Sequence, residues 1–385
     1  MASATMSIED VLCHFADLDD PRSEVNRKHP LVSVIMLSVM GILAGASGPT
    51  GIAAWAKSNE EFLRSLLDLP NGLPRKDVFR RVLCALNPGV FQLCFGNWLT
   101  AMYSAAESTL NGARPTYAVD GKTLRRSHDA KNGLGPLHSV SVWASECGIT
   151  LAQVATDQKS NEITAIPQVL QLVDLAGAIV TIDAMGTQRA IAEQIVDGKG
   201  DFVLALKANQ ETLHDAVIDH VIEQMENDFA DVTARQLITE DTGHGRVETR
   251  HYIQMPAPKS LAGFEKWKGL RTIGVVILTC LRDGKETSQT RFFISSLALG
   301  VKQFARAVRN HWGIENTCHW SLDVTYREDE SRTRESHARE NIAWLNRFTL
   351  SLLKQHPGKD SLAMKRRSCG WNPNFLLEVL TAQGS

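Results

Sequence analysis

The sequence predicts an α/β protein: a mixed sheet flanked by helices, preceded by a helical N-terminal part and interrupted by a β-rich insertion. Three observations predict it. Residues 7 to about 110 carry apolar residues at helical spacing. From Thr116 the pattern becomes short β-type runs and helical stretches in the order β-β-β-α-β-α-β. A second β-rich block then precedes a helix that begins near Val301. The expected division is 1–112 for the helical part and 113–385 for the α/β part, with the insertion at about 211–298.

In the helical part, Ser7-Ile8-Glu9-Asp10 is a helix start with acids in the first turn. Helices follow at Leu31–Ala46, Gly51–Leu67, Lys76–Leu86 and Phe91–Ser108, with turns at Asn71-Gly72 and Asn87-Pro88-Gly89. Leu31–Gly48 is uncharged and close to the length of a membrane span. It contains Ser33, Ser38, Gly41, Gly45, Ser47 and Gly48 and has no second such segment, so a buried helix and no membrane contact are expected.

Thr116–Val119 is a β-type run that ends in Asp120 and is followed by Gly121-Lys122-Thr123. His138–Ala144 and Ile149–Ala155 complete a meander. Ile163–Leu175 has helical period. Ala178–Ile182 is a continuous apolar run, as suits a strand buried on both faces, and it ends in Asp183. Thr187–Val196 is helical, and Phe202–Leu206 is a fifth strand followed by Lys207. After a helix at Glu211–Phe229, strands are expected at Thr233–Thr239, Arg246–Gln254, Thr272–Leu281 and Arg291–Ser295. Turn signals stand at Gly243 to Gly245 and at Asp283-Gly284.

Composition narrows the functional classes. A net charge of −2 excludes a uniformly basic nucleic-acid binder but leaves local basic patches open. The seven cysteines are odd in number and form no CxxC pair, which points to reduced thiols in a cytoplasmic protein without a zinc knuckle or disulfide framework. The start, MASATMSIEDVL, lacks the basic-then-apolar order of a signal peptide.

The chemistry concentrates in Arg309–Asp329. On a helix continued from Val301, His311, Glu315 and His319 fall at steps of four, and Trp312, Asn316 and Trp320 form the next row. Asp120 and Asp183 each close a strand, where α/β sheets place their chemistry. Three carboxylates from two strands and a helix can hold two hard divalent ions for phosphoryl transfer. Strand-end aspartates also serve as turn or cap residues, and pattern alone leaves both readings open. A zinc site on His311, Glu315 and His319 fails because HExxH is absent. Glu328-Asp329 is the alternative to Glu315.

Taken together, YAVDGKTLRRS, DQKSNEITAIPQVL, VTIDAMGTQ, ALKANQ, GHGRVETR, RFFISS and RNHWGIENTCHWSLDVTYRED resemble the transposases of the H-repeat-associated, DDE-type insertion-sequence family. The resemblance spans nearly the whole chain, including that family's DDE-associated N-terminal domain. It implies an RNase H-like core, Mg²⁺ (Mn²⁺ in its place), and metal-dependent DNA cleavage and strand transfer. The catalytic and metal-ligating acids would be Asp120, Asp183 and Glu315. The implied partners are double-stranded DNA, as terminal inverted repeats and target, and a second copy of the chain on that DNA. Related transposases carry Tyr, Arg and Lys around the glutamate where this sequence has Val308, His311 and Leu322.

Candidate DNA contacts are Lys122, Arg125 and Arg126, with a solvated loop as the other reading, and Lys207 beside Asn209-Gln210. Others are Arg246, with His244 and Arg250, which could instead pair with Glu248, and Arg309, His311 and His319 as phosphate donors. Trp312 and Trp320 are expected in the core. Arg332, Arg334, Lys365, Arg366 and Arg367 form a basic run suited to non-specific affinity. The competing function is a catalytically inactive DNA-binding remnant or a regulator of a mobile element.

Overall fold

The most apolar stretch, Leu31–Leu43, forms a helix in which every residue but Val32 is buried. At 1.5 Å per residue it is about 20 Å long, short of a bilayer core. Among the described residues no single helix is long and apolar enough to cross a membrane. The structure is a computed structural model and describes residues 7–107, 112–129, 131, 133–156, 162–243 and 245–381. His244 and 157–161, part of two motifs quoted above, lie outside them. All seven cysteines are free thiols.

Contacts divide the chain into two units: Met1–Gly112, Gly121–Asn161 and Glu315–Ser385 form the first, Ala113–Asp120 and Glu162–Ile314 the second. The first holds helices α1 (Ile8–Cys13), α2 (Leu31–Leu43), α3 (Pro49–Ser58), α4 (Glu60–Leu66), α5 (Lys76–Ala85) and α6 (Pro88–Glu107). It also holds the end of β1 (Thr116–Leu124), β2 (Leu137–Ala144) and β3 (Ile149–Thr156), with β2 central. Its later helices are α11 (Trp320–Val324), α12 (Ser336–Gln355), α13 (Leu362–Trp371) and α14 (Pro373–Leu380).

The centre of this unit is α12, buried on all sides from Asn341 to Leu353 and packed against α2, α5, α6 and β3. Glu335 caps it by accepting from the Ala338 amide at 2.7 Å. Phe348 meets Phe95 at 4.3 Å and Trp98 at 4.6 Å between ring centroids. Two of its buried polar side chains reach across the interior to partners. Asn341 donates to the carbonyls of Leu83 and Leu86 at the end of α5. Arg347 donates to Glu328, Ser139 and Ser141. The C-terminal helices thus fold with the N-terminal ones, an association between segments some 250 residues apart that no local pattern announces.

The second unit holds the start of β1, α7 (Glu162–Leu170), β4 (Ile179–Ile182), α8 (Arg189–Asp197), β5 (Asp201–Leu206) and α9 (Glu211–Glu226). Strands β6 (Arg235–Gly243), β7 (Arg246–Pro256), β8 (Thr272–Arg282) and β9 (Lys285–Ser295) precede α10 (Val301–Gly313). Strand order is β1-β4-β5-β9-β8-β7-β6. β1, β4 and β5 are parallel, and the rest join antiparallel. The β-rich insertion therefore extends the sheet beyond β5.

Two strands outrun their sequence signal. β1 continues through Gly121-Lys122-Thr123 to Leu124, so Lys122 stands on a strand and not in a loop. β9 begins at Lys285, not Arg291. Asp283 and Gly284, both at positive φ, make the two-residue turn that suits a hairpin. That turn pairs polar residues 285–290 with β8 through the backbone ladder.

α10 lies on this sheet, with Phe304, Ala305, Ala307 and Val308 in one cluster with Ile179, Val203, Tyr252, Val276 and Phe293. Gly274 permits that approach: a Cβ there would lie 2.2 Å from Phe304 Cζ. Phe304 is fully buried and has no room to yield. Gly274→Ala is expected to cost about 1–3 kcal/mol, partly recovered by Phe304→Leu, as read from thermal melting. A variant that melts with the wild type would sink this account.

Candidate active site

β1 and β4 run parallel with Val119 paired to Ile182, so the next residues stand at the same level: Asp183 follows the end of β4, whereas Asp120, expected to close its strand, lies within β1, which runs on to Leu124. Parallel neighbours lie about 4.8 Å apart, which brings the backbones at these two residues close together. Asp183 Oδ1 accepts from the Met185 and Gly186 amides at 3.0 and 3.3 Å, the Asx turn that starts a tight loop. Gly186 is needed there, because a Cβ would lie 2.4 Å from Ile182 Cγ2 and 2.6 Å from Ile166 Cδ1. Oδ2 of Asp183 has no hydrogen-bond partner among the described residues and is exposed.

The loop after Asp183 is braced from β5. Thr187 Oγ1 donates to the Ala205 carbonyl at 2.6 Å, Asn209 to that of Ala184 at 2.6 Å, and Gln210 to that of Thr187 at 3.1 Å. Asn209 and Gln210 therefore position this loop, a role invisible in the sequence because it depends on β4 and β5 being neighbours. Lys207 beside them is exposed.

α10 brings His311 to the same strand: its Nδ1 is 3.0 Å from Thr181 Oγ1, two residues before Asp183. Burial pushes the imidazole down to about 4, helped by Arg291 and opposed by Asp183. At neutral pH it is uncharged, so any phosphate contact it makes is that of a neutral donor. The sign of its linkage follows: unfolded His311 takes up a proton below its ordinary 6.5 and the folded residue resists until about 4. In metal-free buffer its stabilising contribution is whole above pH 6.5 and lost as pH falls toward 4. Melting temperature should fall more steeply across that window in the wild type than in His311→Asn; parallel curves would contradict it.

The helix after Gly313 is not plain α. Ile314–His319 forms a π turn, which takes an extra residue per turn. The spacing of four therefore fails there, and Glu315 and His319 do not repeat on one face. Glu315 is exposed and opens the last segment of the first unit. His319 is half-buried. Trp320, expected in the core, is 57% exposed beyond the π turn. Trp312 is half-buried with the Arg291 guanidinium 4.3 Å from its ring centre. Val308 and Leu322, where related sequences carry Tyr and Lys, are both buried packing residues.

The basic candidates divide by partner. Lys122 Nζ lies 2.6 Å from Asp323 and 3.7 Å from Asp329 and is 7% exposed. Arg125, largely exposed, reaches Asp329 at 3.3 Å, and Arg126 is exposed. Arg246 pairs with Glu248 at 2.7 Å, and Arg250 pairs with Glu248 and Asp241. Arg309 is half exposed, 3.2 Å from Asp241. In the C-terminal basic run, Lys365 and Arg366 are buried and spent on main-chain carbonyls, those of His356 for the first and of Ile42, Thr325 and Ala46 for the second. They are structural and do not supply surface charge. Glu328 is fully buried on Arg347, and Asp329 is held by Lys122 and Arg125, so neither alternative acid stands open.

Comparison with known proteins assigns this architecture. Residues 111–353 match the family described as "Transposase DDE domain", and residues 12–99 match "DDE_Tnp_1-associated". The chain belongs to the DDE transposase family. It is 35% identical over 386 residues to "Putative transposase YncI" of Escherichia coli O157:H7, covering 98% of this chain and 96% of that protein. To "H repeat-associated putative transposase YhhI" of E. coli K12 it is 33% identical, covering 98% and 100%. A solved structure, "Cryo-EM structure of piggyBac transposase synaptic complex with hairpin DNA (SNHP)", is similar at a TM-score of 0.38 and 11% identity, covering 97% of this chain and 76% of that one, too distant to carry an argument.

As a DDE transposase the chain has an RNase H-like α/β fold, with the mixed sheet described above. DDE transposases generally work with a divalent metal ion. Among the described residues, no group of three or more His, Cys, Asp or Glu is gathered to hold a metal. The carboxylates of Asp120 and Asp183 have the hard-donor chemistry that Mg²⁺ takes, one or two carboxylates with the rest from water and substrate phosphate.

Proposed function

We propose that this transposase is an active enzyme that cleaves DNA at insertion-sequence ends and joins those ends to a target. The reading rests on one observation: Asp120 and Asp183 directly follow Val119 and Ile182, a paired position on adjacent parallel strands. Asp120 and Asp183 would hold Mg²⁺, or Mn²⁺ in its place, with Glu315 as the third ligand. Bound there, the metal would supply Lewis acidity to the attacking and leaving oxygens of the phosphodiester. The chain's own share is positional. The Asx turn orients the Asp183 carboxylate, Asn209 and Gln210 hold the loop that follows it, and uncharged His311 ties α10 to β4.

Lys122, Arg125, Arg126, Lys207, Arg246, Arg309, His311 and His319 are proposed as DNA contacts. For Lys122, Arg125, Arg246 and Arg309 this means exchanging a carboxylate partner for phosphate. Residues 1–112 would act as the associated domain and 113–385 as the catalytic one, two copies meeting on paired element ends in the cytoplasm. The test is incubation of the purified chain with Mg²⁺ or Mn²⁺ and duplexes carrying the element's terminal inverted repeats. Nicked and strand-transferred products are expected. Binding without either product would favour the inactive-regulator reading.

A further inference from the structure

One face of the second unit's sheet is marked by what α10 touches. Asn310 Nδ2 donates to Thr116 Oγ1 at 3.2 Å, and His311 Nδ1 lies 3.0 Å from Thr181 Oγ1. Val203, Ala205 and Phe293 pack in the cluster around Phe304 and Val308. Side chains alternate along a strand, so the next residues on that face are Asp183 after Thr181, Lys207 after Ala205 and Arg291 before Phe293. Lys207 keeps extended backbone, so the alternation reaches it. Ile182 pairs with Leu204 and Leu204 with Ile294, which puts Asp183 level with Ala205 and Phe293. Lys207 and Arg291 stand two residues further on, one step past the last pair of β5 and β9, Leu206 with Phe292.

Two cations at one level on neighbouring strands repel each other and give the sheet nothing. Lys207 is exposed and makes no ion pair among the described residues. Arg291 is half-buried and held in place. Its guanidinium carbon lies 4.3 Å from the centre of the Trp312 ring, and its Nη2 donates to Gln289 Oε1 at 3.0 Å. A guanidinium held over a ring keeps its N–H rim for an anion, in the fork that matches two phosphate oxygens. The Asp183 carboxylate and the Arg291 guanidinium are both close enough to act on the His311 imidazole, in opposite senses. Arg291 thus belongs to the surroundings of Asp183, although the β-rich insertion carries it.

We propose that Arg291, held over Trp312, binds a backbone phosphate of the DNA strand that lies across Asp183, with Lys207 beside it. The inference rests on the reading of Asp183 as part of the cleavage site. Arg291 is a DNA-binding residue in this account and Trp312 a positioning residue, whose ring fixes where the guanidinium stands. The insertion then does more than extend the sheet: through β9 it brings a phosphate-binding cation to the end of β5.

The test uses the full chain and a duplex of about 20 base pairs, roughly two helical turns, ending in the element's terminal inverted repeat. Binding is measured in metal-free buffer across a salt series, and again with single backbone phosphates replaced in turn by neutral methylphosphonate. In the wild type one such replacement should weaken binding roughly tenfold by removing the partner of Arg291. Arg291→Gln keeps part of the side chain's stem against Trp312. It should bind the unmodified duplex roughly tenfold more weakly and lower the slope of log affinity against log salt by about one. It should also stop responding to that one replacement while still responding to others. Trp312→Leu keeps the charge, so its salt slope should stay while the response at that phosphate shrinks. Each response is a ratio within one variant, so a small change in melting temperature does not enter. The same pattern of responses in the wild type and in Arg291→Gln overturns the proposal and leaves Arg291 and Trp312 a packing pair. A wild type that binds this duplex but never cuts it with Mg²⁺ defeats the cleavage reading alone, and the phosphate scan still decides Arg291. A wild type that binds no duplex defeats both.

Discussion

Asp183→Asn is expected to lower strand cleavage by roughly a thousandfold or more, about 4 kcal/mol of transition-state stabilisation, with DNA affinity and melting temperature nearly unchanged. The substitution keeps the shape of the side chain and an oxygen able to accept from the Met185 and Gly186 amides, so the turn after β4 survives. What disappears is one negative charge at the end of β4, and with it half of the carboxylate chemistry proposed for the two strands. Cleavage and binding measured on the same preparation separate the two roles. If affinity or melting temperature falls along with cleavage, Asp183 is a turn residue and the catalytic reading fails. Glu315→Gln should behave in the same way, since Glu315 is exposed.

Glu328→Ala should do the reverse. The Arg347 and Glu328 side chains are fully buried, and removing the carboxylate strands a guanidinium in the core. The expected loss is about 3–5 kcal/mol of unfolding free energy, read from urea denaturation. Arg347→Met combined with Glu328→Leu should cost much less than either single change, because a neutral pair leaves no uncompensated charge. Arg347 also donates to Ser139 and Ser141 on β2, so the pair ties α12, β2 and the segment before α12 into one core. A Glu328→Ala protein of unchanged stability but abolished cleavage would instead make Glu328 the third acid.

These two carboxylates show where local reading stops. Glu315 and Glu328 lie thirteen residues apart in one charged stretch. Helical period favours the first but says nothing about burial, and Arg347, the partner that removes Glu328 from consideration, comes from a later helix. The same holds for Lys365 and Arg366, whose composition reads as a surface patch. Their burial follows from carbonyls just past α12, on α2 and just past α11. Trp320 errs the other way, outward where size alone predicts the core.

What the sequence by itself determined is what apolar period and turn chemistry control: a helical start, β1 to β5 in order with Asp183 closing the fourth, the insertion, and α10. The motifs carried the family in the same way, since they are strings of residues. Only tertiary structure decided that Val119 pairs with Ile182, which puts the two aspartates at one level. It also decided that α12 gathers the N-terminal helices, that β9 extends by pairing to Lys285, and that Ile314–His319 tightens into a π turn. Each of these depends on a partner distant along the chain or on competition between hydrogen-bonding patterns of nearly equal energy. Neither leaves a mark in local composition.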